Sequence, residues 1–249
     1  MTLLEVSNLN TGYGSSHVLK DLCFSVSAGE AVAVLGANGA GKSTLMKSIV
    51  GLVKPWSGQI RFEGEVISGK AAEGCASLGI TLAPEGRSIF TTLSIEENLR
   101  IGATRLQGKI SSSEFRKHCD VNLQRIYELF PVLGKRRTNR GSSLSGGQQQ
   151  MLAIGRALMS DPKLLILDEP CLGLSPKIGG EVYEILQIVR EGGQSLIIVE
   201  ESTKRALQFA DRACVLKLGQ KVVDSPVAEL ANSEALLTAY FGIEKEPHN

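Results

Sequence analysis

A chain of 249 residues with 43 % hydrophobic and 21 % charged residues has ample material for one large α/β domain, or one domain carrying an inserted lobe. Its net charge of +1 gives no sign of a nucleic-acid partner, and none is expected. The five cysteines, Cys23, Cys75, Cys119, Cys171 and Cys214, form no CxxC pair, which argues against a zinc site or a disulfide framework and fits a reducing compartment.

Along the chain, the start from Met1 to Asn8 carries Glu5 and no basic segment, so no signal peptide is expected. No apolar run approaches the roughly 20 residues of a spanning helix, so the chain is expected to be soluble and to leave any membrane work to partner subunits. Apolar stretches at 3–6, 19–26, 31–35 and 59–62 predict strands separated by turns, and the wholly apolar 31–35 predicts a central parallel strand. A helix is expected from Ser43 to about Val50, and a buried strand at 79–83. From Arg87 to Ser160 the texture changes. Segments 95–101 and 114–130 place apolar residues at helical spacing among charges, which predicts a helical insertion of about 87–160. Strands follow at 164–167, 196–199 and 213–216 with helical patterns between them. Strands alternating with helices predict right-handed crossovers and a mostly parallel sheet, whose ligands bind beyond the strand C-termini.

The chemistry starts there. Gly36-Ala37-Asn38-Gly39-Ala40-Gly41-Lys42-Ser43 matches GxxxxGK[ST] between an apolar strand and a helix. Chance supplies such a match in about one chain in a hundred of this length. In such a loop the backbone N–H groups cradle polyphosphate, with Thr44 following in the helix. Lys42 neutralises β- and γ-phosphate charge, and Ser43 ligates Mg²⁺. Asp168 and Glu169 end a buried strand, where one carboxylate can hold Mg²⁺ through water and the other polarise the attacking water. Ser145-Gly146-Gly147-Gln148 opens the amphipathic helix from Gln149 to Met159, and its free N–H groups and hydroxyl make a second anion receptor. Since one loop already grips the phosphates, this receptor makes most sense reaching across to ATP held by another molecule.

The order of these elements resembles the ATP-binding cassette family, the nucleotide-binding subunits of ABC transporters, over nearly the whole chain. The resemblance implies an α/β P-loop NTPase fold, with a mostly parallel core sheet, an antiparallel β subdomain and an inserted helical subdomain. It makes 1–243 one ATP-binding domain and leaves 244–249 as a disordered tail. It also implies that Tyr13, in Thr11-Gly12-Tyr13-Gly14, stacks on adenine. Pro84-Glu85-Gly86-Arg87, Glu96-Glu97-Asn98-Leu99, Tyr127-Glu128-Leu129-Phe130-Pro131, Cys171-Leu172-Gly173-Leu174-Ser175-Pro176 and the ending Ala239-Tyr240-Phe241-Gly242 resemble more closely the LivF-type ATPase subunits of branched-chain amino-acid importers. That type works beside a LivG-type ATPase, two membrane permease subunits and a periplasmic binding protein, at the cytoplasmic face of the inner membrane. A homodimer of cassettes is the alternative to the LivG-type heterodimer. The resemblance implies ATP hydrolysis with Mg²⁺, and places Phe90 and Leu93 where cassettes meet their membrane subunits.

Three positions depart from the family pattern. Where cassettes place a glutamine against Mg²⁺ and water, this chain has Glu85, whose carboxylate still offers oxygen ligands and adds negative charge. The aspartate of the loop after the catalytic glutamate is replaced by Ser175, which keeps a hydrogen-bonding hydroxyl but no charge. The histidine that donates to the γ-phosphate is replaced by Glu201, and His17, His118 and His248 cannot fill that place. Ionised, Glu201 accepts hydrogen bonds only and repels phosphate. An asymmetric pair of ATP sites is therefore expected, this chain's own being the slower. The alternative is a regulatory nucleotide-binding clamp with little turnover. Of the remaining features, Cys171 is expected to be a packed thiol and Lys135, Arg136 and Arg137 a solvated basic face.

Overall fold

The structure, a computed structural model, describes residues 1–107, 110–201 and 203–230; the Ala239-Tyr240-Phe241-Gly242 ending and the tail 244–249 lie outside the described residues. The elements run β1 (Thr2–Tyr13), β2 (Ser16–Ser27), β3 (Ala31–Leu35), α1 (Lys42–Ile49), β4 (Ser57–Phe62), β5 (Glu65–Val66), α2 (Ala72–Leu78), β6 (Ile80–Ala83) and α3 (Ile95–Gly102). They continue with α4 (Ser112–Leu129), α5 (Pro131–Lys135), α6 (Gly146–Leu158), β7 (Leu164–Asp168), α7 (Pro176–Glu191), β8 (Ser195–Glu200), α8 (Thr203–Phe209), β9 (Arg212–Lys217), β10 (Gln220–Pro226) and α9 (Val227–Leu230).

Two sheets result. β2-β1-β4-β5 is antiparallel, and β10-β9-β3-β8-β7-β6 is parallel except for its edge strand β10. Every residue of β3, β7 and β8 is buried. Such strands need apolar side chains on both faces, which is why they read as unbroken hydrophobic runs rather than alternations. One face of the parallel sheet (Val32, Val34, Leu164, Ile166, Ile197, Val199) shares a core with α1 and the antiparallel sheet. The other (Leu165, Leu167, Leu196, Ile198) packs with Val182 and Leu186 of α7 and with Leu99, Ile126, Leu152 and Ile154 of the helical region. The helices between Ile95 and Leu158 are thus anchored to the sheet through α6 rather than standing apart from it.

Three of those helices begin in the same way. Ser94 with Glu97, Ser111 with Glu114, and Ser145 with Gln148 each form a reciprocal capping box, which satisfies two otherwise orphaned N–H groups at each helix start. The predicted helix from Gln149 therefore starts earlier, at Gly146, because the capping serine sits at 145. Likewise α1 starts at Lys42, one residue before the predicted Ser43. Among the described residues no helix is long and apolar enough to cross a membrane.

Candidate functional site

Register places the site. The parallel pairs Leu35–Glu200, Ala83–Leu167 and Asp168–Val199 end β3, β8, β7 and β6 at one edge of the sheet. The residues that follow are Gly36, Glu201 and Glu169, with Glu85 one residue further on, after Pro84. One edge thus gathers the phosphate loop and every carboxylate singled out from the sequence, beyond the strand C-termini where parallel sheets bind ligands.

The loop from Gly36 to Ser43 is built on glycine where geometry demands it. Gly36 has φ +150°, and a Cβ there would stand 2.4 Å from the Leu216 carbonyl oxygen; Gly41 caps α1 at φ +104°, with Leu19 Cδ2 2.6 Å from its Cβ position. The turn after β9 supports the loop from outside, the Gly219 N–H donating to the Ala40 carbonyl at 3.0 Å. Lys42 is 5 % exposed, and its Nζ donates to the carbonyls of Gly36 at 2.7 Å and Ala37 at 3.3 Å. The ammonium therefore spans the mouth of the loop, beside the N-terminus of α1, whose exposed N–H groups and dipole favour an anion. Asn38 lies exposed in the loop and Thr44 buried in the first turn of α1. Tyr13 is 48 % exposed at the end of β1.

Asp168 is buried, and burial raises its carboxyl above the ordinary range; the facing Ser43 hydroxyl, Lys47 and Lys42 oppose that rise, while Glu85 adds to it. Its Oδ1 is buried without a hydrogen-bond partner. An orphaned carboxylate oxygen beside a serine hydroxyl fits an oxygen-coordinated divalent cation or its bound water, so the donor set of Ser43, Asp168 and Glu85 suits Mg²⁺. No three His, Cys, Asp or Glu side chains among the described residues converge as a closed metal cage, so such a cation needs phosphate oxygens or water to complete its shell.

Glu169 adopts φ +48°, in the left-handed region that side-chain-bearing residues enter at a cost of about 1–3 kcal/mol. The N–H donates to the Val199 carbonyl at 2.9 Å and so fixes the turn. The carboxyl is raised first by burial, with Glu85, Asp168 and Glu201 adding to this and Lys42 opposing. Glu85 itself is exposed.

Glu201 lies against the phosphate loop, as its place after β8 predicts: Asn38 Nδ2 donates to both of its carboxylate oxygens at 3.3 Å. Ser175 has a local task, its hydroxyl oxygen accepting from the Ile178 N–H at 3.4 Å as the N-cap of α7. Ser145 Oγ likewise accepts from the Gln148 N–H, leaving its own proton available, while Gln148 Oε1 accepts from Arg136 at 3.2 Å. A Cβ at Gly146 would meet the Arg87 guanidinium, and one at Gly147 the Ile178 side chain. Cys171 is half-buried, its thiol facing the Gly179 carbonyl at 3.8 Å and pushed up to about 12 by burial, which keeps it an unreactive packed thiol.

Two residues of this neighbourhood escape the reading of the sequence. Glu200 ends β8 only 7 % exposed, and its Oε1 accepts from the Tyr183 hydroxyl at 3.2 Å. Burial is the main reason its carboxyl is pushed up to about 7, Glu169 adding to this while Tyr183, Arg205 and Lys42 oppose. The available signal was a carboxylate closing a wholly apolar strand run.

The ABC transporter family profile matches residues 19–172. The high-affinity branched-chain amino acid transport ATP-binding protein BraG of Pseudomonas aeruginosa is 41 % identical over 240 residues, spanning 96 % of this chain and 100 % of that protein. The probable branched-chain amino acid transport ATP-binding protein LivF of Archaeoglobus fulgidus is 34 % identical over 97 % of this chain and 99 % of its own length. A solved ATP-binding subunit of an ABC transporter superposes with a TM-score of 0.81 at 29 % identity, covering 96 % of each chain.

Proposed function

Because the chain belongs to the ABC transporter family, we propose that it is the ATP-hydrolysing subunit of an importer of branched-chain amino acids or related solutes. The observation that carries this reading is the meeting of Lys42, Ser43, Asp168 and Glu169 at one sheet edge, with Asp168 Oδ1 buried and unpartnered, in a chain of which 96 % matches BraG. In this reading residues 1–243 form one cassette with a helical lobe at about 87–160.

ATP enters with its adenine against Tyr13 and its phosphates against the N–H groups of Gly36 to Thr44. Lys42 exchanges the Gly36 and Ala37 carbonyls for phosphate oxygens and so brings its charge to the group being transferred. Ser43, Asp168 and Glu85 hold Mg²⁺, which when bound withdraws charge from the β- and γ-phosphates. Glu169 accepts a hydrogen bond from the attacking water and orients it toward phosphorus. The receptor at Ser145-Gly146-Gly147-Gln148 caps the ATP of a second cassette, LivG-type or a copy of this chain. Closure of the pair moves two membrane permease subunits fed by a periplasmic binding protein, with the cassettes peripheral at the cytoplasmic face of the inner membrane.

The Asn38–Glu201 contact supports slow turnover at this chain's own site. A carboxylate stands where a donor to the γ-phosphate would serve, and it repels the phosphate it faces. The test is Glu169→Gln in this chain against the equivalent change in the partner cassette, scored by uptake of labelled leucine. The partner's change is expected to abolish uptake and this chain's to reduce it severalfold; equal loss from both contradicts the asymmetry. ATP binding without measurable turnover in any pairing would favour the regulatory clamp.

A further inference from the structure

Behind Glu169 lies an open cavity of about 570 Å³, lined by Glu169, Cys171, Tyr183, Glu200, Glu201 and Arg205. Three segments meet around it: the loop 169–175, the first turns of α7, and α8. One side chain ties them together. Arg205 on α8 donates through Nη2 to the Pro176 carbonyl at 2.8 Å, at the first residue of α7 and next to Ser175. Its Nη1 lies 2.4 Å from the point where a Cβ on Gly179 would stand, and the Cys171 sulfur lies 3.7 Å from the same point. The absent side chain of Gly179 is the notch that admits the guanidinium. The neighbouring Gly180 has open space at its Cβ position, so the notch is specific to one residue.

The same cavity reaches the phosphate loop. Glu201, four residues before Arg205, is the carboxylate that Asn38 of the phosphate loop contacts. Glu201 and Arg205 line the same cavity, so Asn38, Glu201, Arg205, Pro176 and Ser175 form one neighbourhood between the phosphate loop and the start of α7. We propose that Arg205, seated in the Gly179 notch, is a positioning residue that couples the phosphate loop of this chain to the 171–175 loop facing the second cassette. This rests on the reading of the chain as one half of a cassette pair.

The geometry supplies a clean perturbation. A methyl at Gly179 meets the far end of a flexible side chain rather than backbone, so Gly179→Ala displaces the guanidinium while leaving α7 intact. A misplacement of about 1 Å caused far from the chemistry can cost up to about 100-fold in rate. With the full chain, alone and mixed with its second cassette, the Kd for Mg·ATP is measured by calorimetry, and kcat and KM by phosphate release. Gly179→Ala is expected to lower kcat about tenfold, with Kd and KM within about twofold. Gly180→Ala leaves all three unchanged. Arg205→Ala lowers kcat as Gly179→Ala does, and the double variant is no slower than Arg205→Ala alone, because both act on one contact. Turnover by Gly179→Ala equal to that of Gly180→Ala, or losses that multiply in the double variant, would overturn the proposal. Failure of the unsubstituted chain to bind Mg·ATP would instead strike the functional reading beneath it.

Discussion

Replacing Glu200 by glutamine separates the cost of its buried charge from every other contribution at the site. The carboxyl is 7 % exposed and its pKa is pushed from 4.5 to about 7, chiefly by burial. The folded chain therefore keeps a proton that the unfolded chain releases near pH 4.5. The stabilisation is full below that pH and is lost as pH rises through 7, since between these values the folded state binds more protons. A difference of this size corresponds to about 3 kcal/mol. Glutamine stays neutral throughout, and its Oε1 can still accept from the Tyr183 hydroxyl. Stability of Glu200→Gln relative to the unsubstituted chain should thus rise by about 3 kcal/mol between pH 4.5 and pH 8. Urea unfolding at half-unit pH steps, followed by circular dichroism, measures this. Parallel stability curves for the two proteins across that range would refute the assignment of a buried neutral carboxyl.

Two further outcomes follow from particular contacts. Tyr13→Ala removes the exposed ring at the end of β1 and should weaken Mg·ATP binding by about 1–3 kcal/mol, while binding of inorganic triphosphate stays unchanged; equal weakening of both ligands would contradict the stacking role. Asn98 is fully buried, accepts from the Phe90 N–H at 2.8 Å and donates to the carbonyls of Phe90 at 2.8 Å and Ser94 at 2.9 Å. Asn98→Ala orphans the Phe90 N–H, while the Phe90 carbonyl keeps the Leu93 N–H at 3.2 Å; it should cost about 1–3 kcal/mol in urea unfolding, whereas a cost under about 0.5 kcal/mol would show that water replaces the amide.

The parts of this molecule that were legible in its sequence are those specified locally. The phosphate loop announces itself because its glycines, lysine and serine serve one contiguous backbone shape. β3, β7 and β8 announce themselves because burial on both faces demands unbroken apolar runs. The edge strand β10 and the short β5 escaped, since exposed edges carry mixed composition and form only when a partner strand is present. The capping boxes at Ser94, Ser111 and Ser145 were readable as S-x-x-E/Q spacings, and they account for the earlier start of α6. Glu200 left only the signal of a carboxylate closing an apolar run, and its meeting with Tyr183, like that of Gly179 with Arg205, was not readable, because it depends on how β8, α7 and α8 pack. A glycine inside a helix reads as weakness until the neighbour filling its notch is seen. Ser175 was read as keeping a hydrogen-bonding hydroxyl, and its oxygen serves as the N-cap of α7.

The central claim is that Lys42 and Asp168 complete a site for Mg·ATP at the edge of the parallel sheet. Its most direct test is titration of the full chain with ATP in the presence and absence of Mg²⁺, repeated with Lys42→Ala and Asp168→Asn. Saturable binding that strengthens with Mg²⁺, weakens at least tenfold in Lys42→Ala and loses its Mg²⁺ dependence in Asp168→Asn is the predicted result. Binding of ATP indifferent to all three changes would contradict it.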